Sequence, residues 1–227
     1  MPLLHVLRVF TGPDGTGGNP LGVFVNGAEV AAAKRQAVAT ELGFSETVFI
    51  DDVTTGRLQI FTPADELPFA GHPLVGSAWL LRELGHTADV LRPPAGDVLT
   101  WVDTDERVWI RGRAEWAPPM VHRQYDDPAQ VDALADAPDG LGFVDAWAWQ
   151  DEAAGTVRCR VFAPVHGIAE DEATGAAAVR LVTAIGRPIE IRQGVGSIIV
   201  ARPGPSGSAE IGDTVVLDDV RLQEVQD

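Results

Sequence analysis

One stretch of this chain is written twice, and that repetition limits the fold more than any other feature of the sequence. Arg57, Phe61 and Pro63 recur at the same spacing as Arg158, Phe162 and Pro164. Ahead of each set stands a Leu-Gly-Phe triplet, Leu42-Gly43-Phe44 and Leu141-Gly142-Phe143, with Glu46 and Asp145 two residues further on. Behind each comes a polar, glycine-containing loop and then a run of small and apolar residues with helical composition, 71–84 and 175–185. Identities are few, but their order and spacing mark a duplicated α+β unit. A chain built this way folds as two similar lobes with a cleft between them, a usual place for a ligand. Pro118-Pro119 follows the strand-like segment 107–111 and is the expected boundary, giving lobes 1–117 and 118–227. Whether the last strand, 214–220, returns to the first lobe is open on the sequence alone.

Within each unit the periodicities are clear. Residues 4–10, 21–25, 45–50, 57–61 and 197–201 read as strands, and 11–20 as a loop rich in glycine. A helix over 28–42 would put Val30, Ala33, Ala37, Val38 and Leu42 on one face and stop at Gly43. The helix 71–84 is apolar around most of its circumference and must therefore be buried. Asp127-Pro128 reads as a cap followed by a first-turn proline, opening a short helix through Ala135.

Composition narrows the classes of function. With 17 basic and 33 acidic residues the formal charge is −16, a surface that repels phosphate backbones and anionic lipid. Nucleic-acid and membrane partners are therefore not expected, although a locally positive site for a small anion remains open. The N-terminal run 3–10 is too short for a membrane span and lacks the basic start and cleavage site of a signal peptide. A single cysteine, Cys159, allows no intrachain disulfide, and the expected compartment is the cytoplasm.

Three segments pair polar residues with glycine beside apolar structure. Ser45-Glu46-Thr47 leads into the apolar Val48, Phe49 and Ile50. A carboxylate there either points to water at a strand edge, or is desolvated, so that its pKa rises and it becomes an acid or base near neutrality. Gly71-His72-Pro73 opens one buried helix, and Glu170-Asp171 with Thr174-Gly175-Ala176 opens the other. Exposed amides at two helix starts aimed into one cleft would hold a carboxylate and stabilise an enolate-like charge. Two bland alternatives stand beside this reading, Thr174 as a plain helix cap and His72 as a satisfied core imidazole. Asp145 is expected to face solvent, Cys159 to be an inert buried thiol, and Trp147 with Trp149 to form one packed face. The loop 15–20 lacks the Lys-Ser/Thr of a phosphate loop, and the five histidines show no metal-binding spacing, so no metal is expected.

Taken in order, these segments resemble the PhzF-like isomerase family of phenazine biosynthesis. The matching residues are Val9-Phe10-Thr11 with Gly18-Asn19-Pro20, Ser45-Glu46-Thr47, Phe61-Thr62-Pro63, Glu66 through Pro73, and Glu170-Asp171 with Thr174-Gly175. The resemblance implies a diaminopimelate-epimerase-like fold, α+β, with two pseudo-symmetric lobes, each a curved, mostly antiparallel sheet around a central helix, and often a homodimer. It implies a cofactor-free isomerase in which Glu46 is the general acid/base and His72 and Asp171 bind and orient the substrate and the glutamate. Asn19, Ser45, Gly71, Thr174, Gly175 and Ala176 are the matching substrate-binding positions for a small carboxylate. The named reaction of the family is isomerisation of trans-2,3-dihydro-3-hydroxyanthranilate. The chain is shorter than the family norm in its second half, and Arg8 stands where a smaller polar or acidic residue is expected. Two other readings remain. An amino-acid epimerase or racemase on this fold uses two cysteines, and this chain has only Cys159, so it would need Glu46 and Asp145 as substitutes. A non-catalytic small-molecule binder would keep the fold alone.

Overall fold

Alternating apolar residues make strands the commonest regular element of the chain, and the computed structural model describes residues 1–225. The first half contains β1 (Leu3–Thr11), β2 (Gly17–Phe24), α1 (Ala32–Leu42), β3 (Glu46–Asp52), β4 (Arg57–Phe61), β5 (Glu66–Leu67) and α2 (Gly71–Glu83). It continues through β6 (Val90–Leu91), β7 (Val98–Val102) and β8 (Val108–Gly112). The second half opens with β9 (Val121–Gln124), α3 (Pro128–Asp132), β10 (Val144–Asp151), β11 (Thr156–Ala163), β12 (Ile168–Asp171) and α4 (Gly175–Ile185). It closes with β13 (Ile189–Gln193), β14 (Ser197–Pro203), β15 (Ala209–Asp213) and β16 (Val215–Leu222).

Among the described residues the strands form two sheets. One has the order β16-β1-β2-β3-β4-β5, the other β6-β7-β8-β15-β14-β13-β11-β10-β9 with β12 beside β11. Most neighbours are antiparallel, while β2 with β3, β9 with β10, and β11 with β13 run parallel. The chain crosses between the sheets. β8 pairs with β15 in the second sheet, and β16 comes back to pair with β1 in the first. The result is an α+β fold of two lobes, each a curved sheet around one central helix, α2 in the first and α4 in the second.

Both central helices are buried because they have little polar surface to present. In α2 ten of thirteen residues are buried, and Pro73 is tolerated because an amide in the first turn has no intrahelical acceptor. Leu74, Val75 and Leu81, all fully buried, each contribute about 1.5–3 kcal/mol of burial. α2 packs on β1 and β8, and α4 on β14 and β15, so one continuous apolar core joins the two lobes.

Several elements differ from the sequence reading. α1 begins at Ala32 rather than 28, because Gly27–Glu29 form a 3-10 turn and Val30 is extended, turning its side chain into the core. β2 begins at Gly17, so Asn19 and Pro20, read as loop, are part of a strand paired with β1. α3 ends at Asp132. Asp145 does not face solvent: it has no exposed surface, accepting from Cys159 Sγ at 2.6 Å and lying 2.8 Å from His122 Nδ1. A carboxylate on the inner face of β10 is tolerable because two polar neighbours replace the lost water. Cys159 is buried, and burial next to Asp145 pushes its thiol well above the usual range. Trp147 and Trp149 meet edge to face, with ring centroids 5.4 Å apart.

Candidate active site

The N-termini of α2 and α4 meet in the middle of the molecule. A Cβ on Gly71 would lie 2.6 Å from the Gly175 Cα, and one on Gly175 would lie 2.8 Å from the His72 backbone nitrogen. Only glycine at both positions allows the two backbones to approach so closely. Neither helix has a side-chain cap: Ala70 cannot supply one, and the Thr174 hydroxyl is turned elsewhere. Two positive helix ends with free first-turn amides therefore point into one cleft.

The carboxyl group of Glu46 enters that cleft from the start of β3. Its Oε2 lies 3.3 Å from His72 Nε2, and both residues are almost entirely buried. The contact is within ion-pair distance but misses hydrogen-bond geometry, and neither atom has another hydrogen-bond partner. Both remain available to a third group. Burial holds the Glu46 carboxyl well above the usual carboxylate range, and the charge of Asp171 adds to the effect. Burial drives the His72 imidazole down to about 3, opposed by a hydrogen bond to the backbone of Pro20.

Asn19 Nδ2 has two hydrogens, and it donates to Asp171 Oδ1 at 2.6 Å and to the Ala173 carbonyl at 2.8 Å, which leaves none for His72 Nδ1, 3.3 Å away.

Asp171 is the hub of a second layer. It accepts from Asn19 and, at 2.5 Å, from the Thr174 hydroxyl, which is why that hydroxyl does not cap α4. Burial raises Asp171 to about 6, against the pull of hydrogen bonds from Thr174 and Asn19. Ser45 donates to Asn19 Oδ1 at 2.5 Å. Gln193 donates to the Asp171 carbonyl and the Thr174 hydroxyl, and accepts from the Thr174 amide. Glu46, His72, Asp171, Gly71, Thr174, Gly175 and Ala176 all line one cavity, while Asn19 and Ser45 stand behind it. Phe143, Pro118, Thr62 and His166 also line the wall, and none of the four was taken as a site residue on the sequence. Phe143 carried a readable signal, since it lies in the repeated Leu-Gly-Phe triplet. Gln193 had none, because it meets Asp171 only through tertiary packing.

The cavity measures about 20 Å³, room for a water molecule, so an organic ligand enters only when its walls part. Among the described residues no lysine or arginine lines it, and no group of three or more His, Cys, Asp or Glu is placed to hold a metal. Arg8 lies outside it: its guanidinium donates to the carbonyls of Gly15 and Gly17 and pairs with Asp218.

Comparison with known proteins places these features in a wider set. The sequence model of the PhzC-PhzF family, phenazine biosynthesis-like protein, matches residues 7–138. A trans-2,3-dihydro-3-hydroxyanthranilate isomerase from Pseudomonas chlororaphis is 30% identical over 224 residues, spanning 78% of this chain and 81% of the relative. Among solved structures, a putative phenazine biosynthesis PhzC/PhzF protein from Clostridium difficile superposes with a TM-score of 0.79 at 16% identity, covering 99% of this chain and 100% of that one. A probable proline racemase from Agrobacterium radiobacter gives 0.67 at 9% identity, covering 100% and 94%, a likeness of fold alone.

Proposed function

This chain belongs to the PhzC-PhzF family of phenazine biosynthesis-like proteins, and from that premise we propose that it is a cofactor-independent isomerase that moves a proton on a small carboxylic acid, with Glu46 as the general acid/base. The observation that carries the proposal is the meeting of two uncapped helix starts beside a buried carboxyl group whose Oε2, next to His72, has no hydrogen-bond partner among the described residues. The substrate carboxylate sits on the first-turn amides of α2 and α4. The ionised form of Glu46 lifts a proton from a carbon conjugated to that carboxylate. The electron pair left behind spreads into the carboxylate as an enolate, whose added charge the same amides and helix ends stabilise. Glu46, now protonated, returns the proton to a different carbon and the double bond shifts, so product and substrate are isomers. His72, whose Nε2 lies 3.3 Å from Glu46 Oε2, positions that carboxyl group, and Asp171 fixes Asn19 and Thr174 behind the site.

A small, unsaturated or cyclic acid suits the walls, where Phe143, Leu67, Pro118 and Ile168 offer apolar surface. The relative from Pseudomonas chlororaphis makes trans-2,3-dihydro-3-hydroxyanthranilate the first compound to test. Incubation of a panel of such acids in D2O, followed by proton NMR, is expected to give deuterium incorporation or double-bond migration for at least one member. Abstraction needs ionised Glu46, whose carboxyl is held above the usual range, so kcat/KM is expected to rise with pH through a window well above pH 4.5. An acid limb centred at the position of a free glutamate would remove Glu46 from the titration.

The two-base reading has less support. It needs Asp145 at the cleft, and Asp145 lies inside the second lobe, engaged by His122 and Cys159.

A further inference from the structure

Four titratable side chains line the cleft, and the reaction proposed for it uses three of them: Glu46, His72 and Asp171. The fourth is His166. It ends a 3-10 turn, Pro164–His166, directly after β11 in the second lobe. Its Nδ1 lies 3.3 Å from both carboxylate oxygens of Asp65, which comes from the turn between β4 and β5 in the first sheet. Asp65 is itself held: the Thr62 hydroxyl donates to Oδ1 at 2.6 Å, and the amide of Asp65 donates back to that hydroxyl. The ring of Phe143 stands perpendicular to the imidazole, with centroids 5.1 Å apart. These contacts fix the plane of the imidazole and occupy one of its two nitrogens, leaving Nε2 as the remaining polar atom of a ring that lines the cleft.

Charge gives that orientation a purpose. A carboxylate entering the cleft meets two carboxyl groups, Glu46 and Asp171, and among the described residues no lysine or arginine lines the wall. His72 is kept neutral by burial. The groups that can answer a negative charge there are the amides of α2 and α4 and the imidazole of His166. A protonated imidazole backed by a carboxylate has a positive charge and both N–H groups in set directions, the geometry of a charge-assisted hydrogen bond.

We infer that His166, oriented across the cleft by Asp65, is a substrate-binding residue that supplies the cationic part of the carboxylate site. This rests on the reading that the cleft takes a small carboxylic acid. It makes affinity depend on the charge of the ligand through a residue that takes no part in proton transfer. The pair also ties the 3-10 turn after β11 to the turn between β4 and β5 of the first sheet.

The test uses benzoate and its neutral isostere benzamide as probes, titrated into the full-length protein and followed by NMR. Wild type is expected to bind benzoate more tightly than benzamide. In His166→Gln, which keeps a hydrogen-bond donor but loses the charge, benzoate affinity is expected to fall about tenfold with benzamide unchanged within about twofold. Asp65→Asn is expected to show the same selective pattern at about threefold, and His166→Lys to retain the preference for benzoate. Thermal melts of each variant check that the fold is intact. Equal losses for both probes, or no loss for either, would overturn the inference, as would a wild type with no preference for benzoate. With a turned-over acid, His166→Gln should raise KM and leave kcat nearly unchanged. Failure of proton exchange in wild type together with a selective loss of benzoate binding in His166→Gln would sink the proton-transfer reading and leave this one standing. Exchange that depends on Glu46 together with equal benzoate binding in both proteins would do the reverse.

Discussion

In the first lobe, Glu46 stands one residue ahead of the cross-strand pair Thr47–Phe61. In the second, Phe143 stands one residue ahead of the pair Val144–Phe162. Phe61 and Phe162 hold the same place in the repeated segment, so Glu46 and Phe143 occupy matching positions, and both line the cleft. One lobe fills this position with a titratable acid, the other with an apolar ring. The helices behind them differ in the same sense. Gly71 is followed by His72, which faces the acid, and Gly175 by Ala176, which adds only a methyl group. The duplicated frame keeps its paired helix starts, while the carboxyl proposed to move the proton stands at this matched position in the first lobe alone, with Asp171 and His166 of the second lobe lining the same cleft. That asymmetry suits a reaction in which one group takes a proton and gives it back. It does not suit a pair of bases attacking from opposite faces.

Outside Glu46, the largest expected effect on activity comes from the shared feature rather than from the differences. Gly175→Ala places a Cβ 2.6 Å from the Gly71 Cα, a clash of the new methyl with the opposite backbone that forces the helix starts apart. Exchange activity is expected to fall by about a hundredfold or more, since displacements near 1 Å are enough for that, and the melting temperature should fall with it. Wild-type activity in this variant would break the idea that the two helix ends act together. Phe143→Ala tests the second lobe's contribution directly. It removes apolar wall but no chemistry, so KM should rise about tenfold with kcat little changed. A collapse of kcat instead would mean that the ring orients the reacting atoms. Asp145→Asn is expected to change activity least, within about twofold, because the residue lies away from the cleft; unfolding in urea should still reveal a loss of about 1–3 kcal/mol from its buried hydrogen bonds. A large loss of activity at preserved stability would restore Asp145 to the mechanism.

The residues proposed for the acid/base side of the site stand out in the sequence because they lie in local segments. Ser45-Glu46-Thr47 precedes an apolar strand, and each glycine-led segment opens a helix with no polar face. The pairing of Glu46 with Asp145 was misread, and the reason is geometric. Gly43 ends α1 in a left-handed turn with φ 66°, and two more residues intervene before β3 begins at Glu46. Gly142 has no such turn to make, and β10 starts two residues after it at Val144. Counted from the matched pairs Thr47–Phe61 and Val144–Phe162, the equal triplets feed their strands two residues out of register, a shift that keeps the alternation of side chains intact while moving the position along the strand. Contacts between lobes were out of reach for a different reason. Nothing in local pattern tells that Gly71 will lie against Gly175, that β8 will join β15, or that Asp65 will hold His166, because long-range packing alone decides them.

The central claim is that one carboxyl group, Glu46, both takes and returns the proton. Its most direct test compares wild type with Glu46→Gln in D2O, using an acid that wild type turns over and proton NMR as the readout. The variant keeps the shape of the side chain, so it should fold as wild type does and still bind the acid, yet lose exchange and isomerisation together by about a thousandfold. Exchange at the wild-type rate in Glu46→Gln would contradict the account outright.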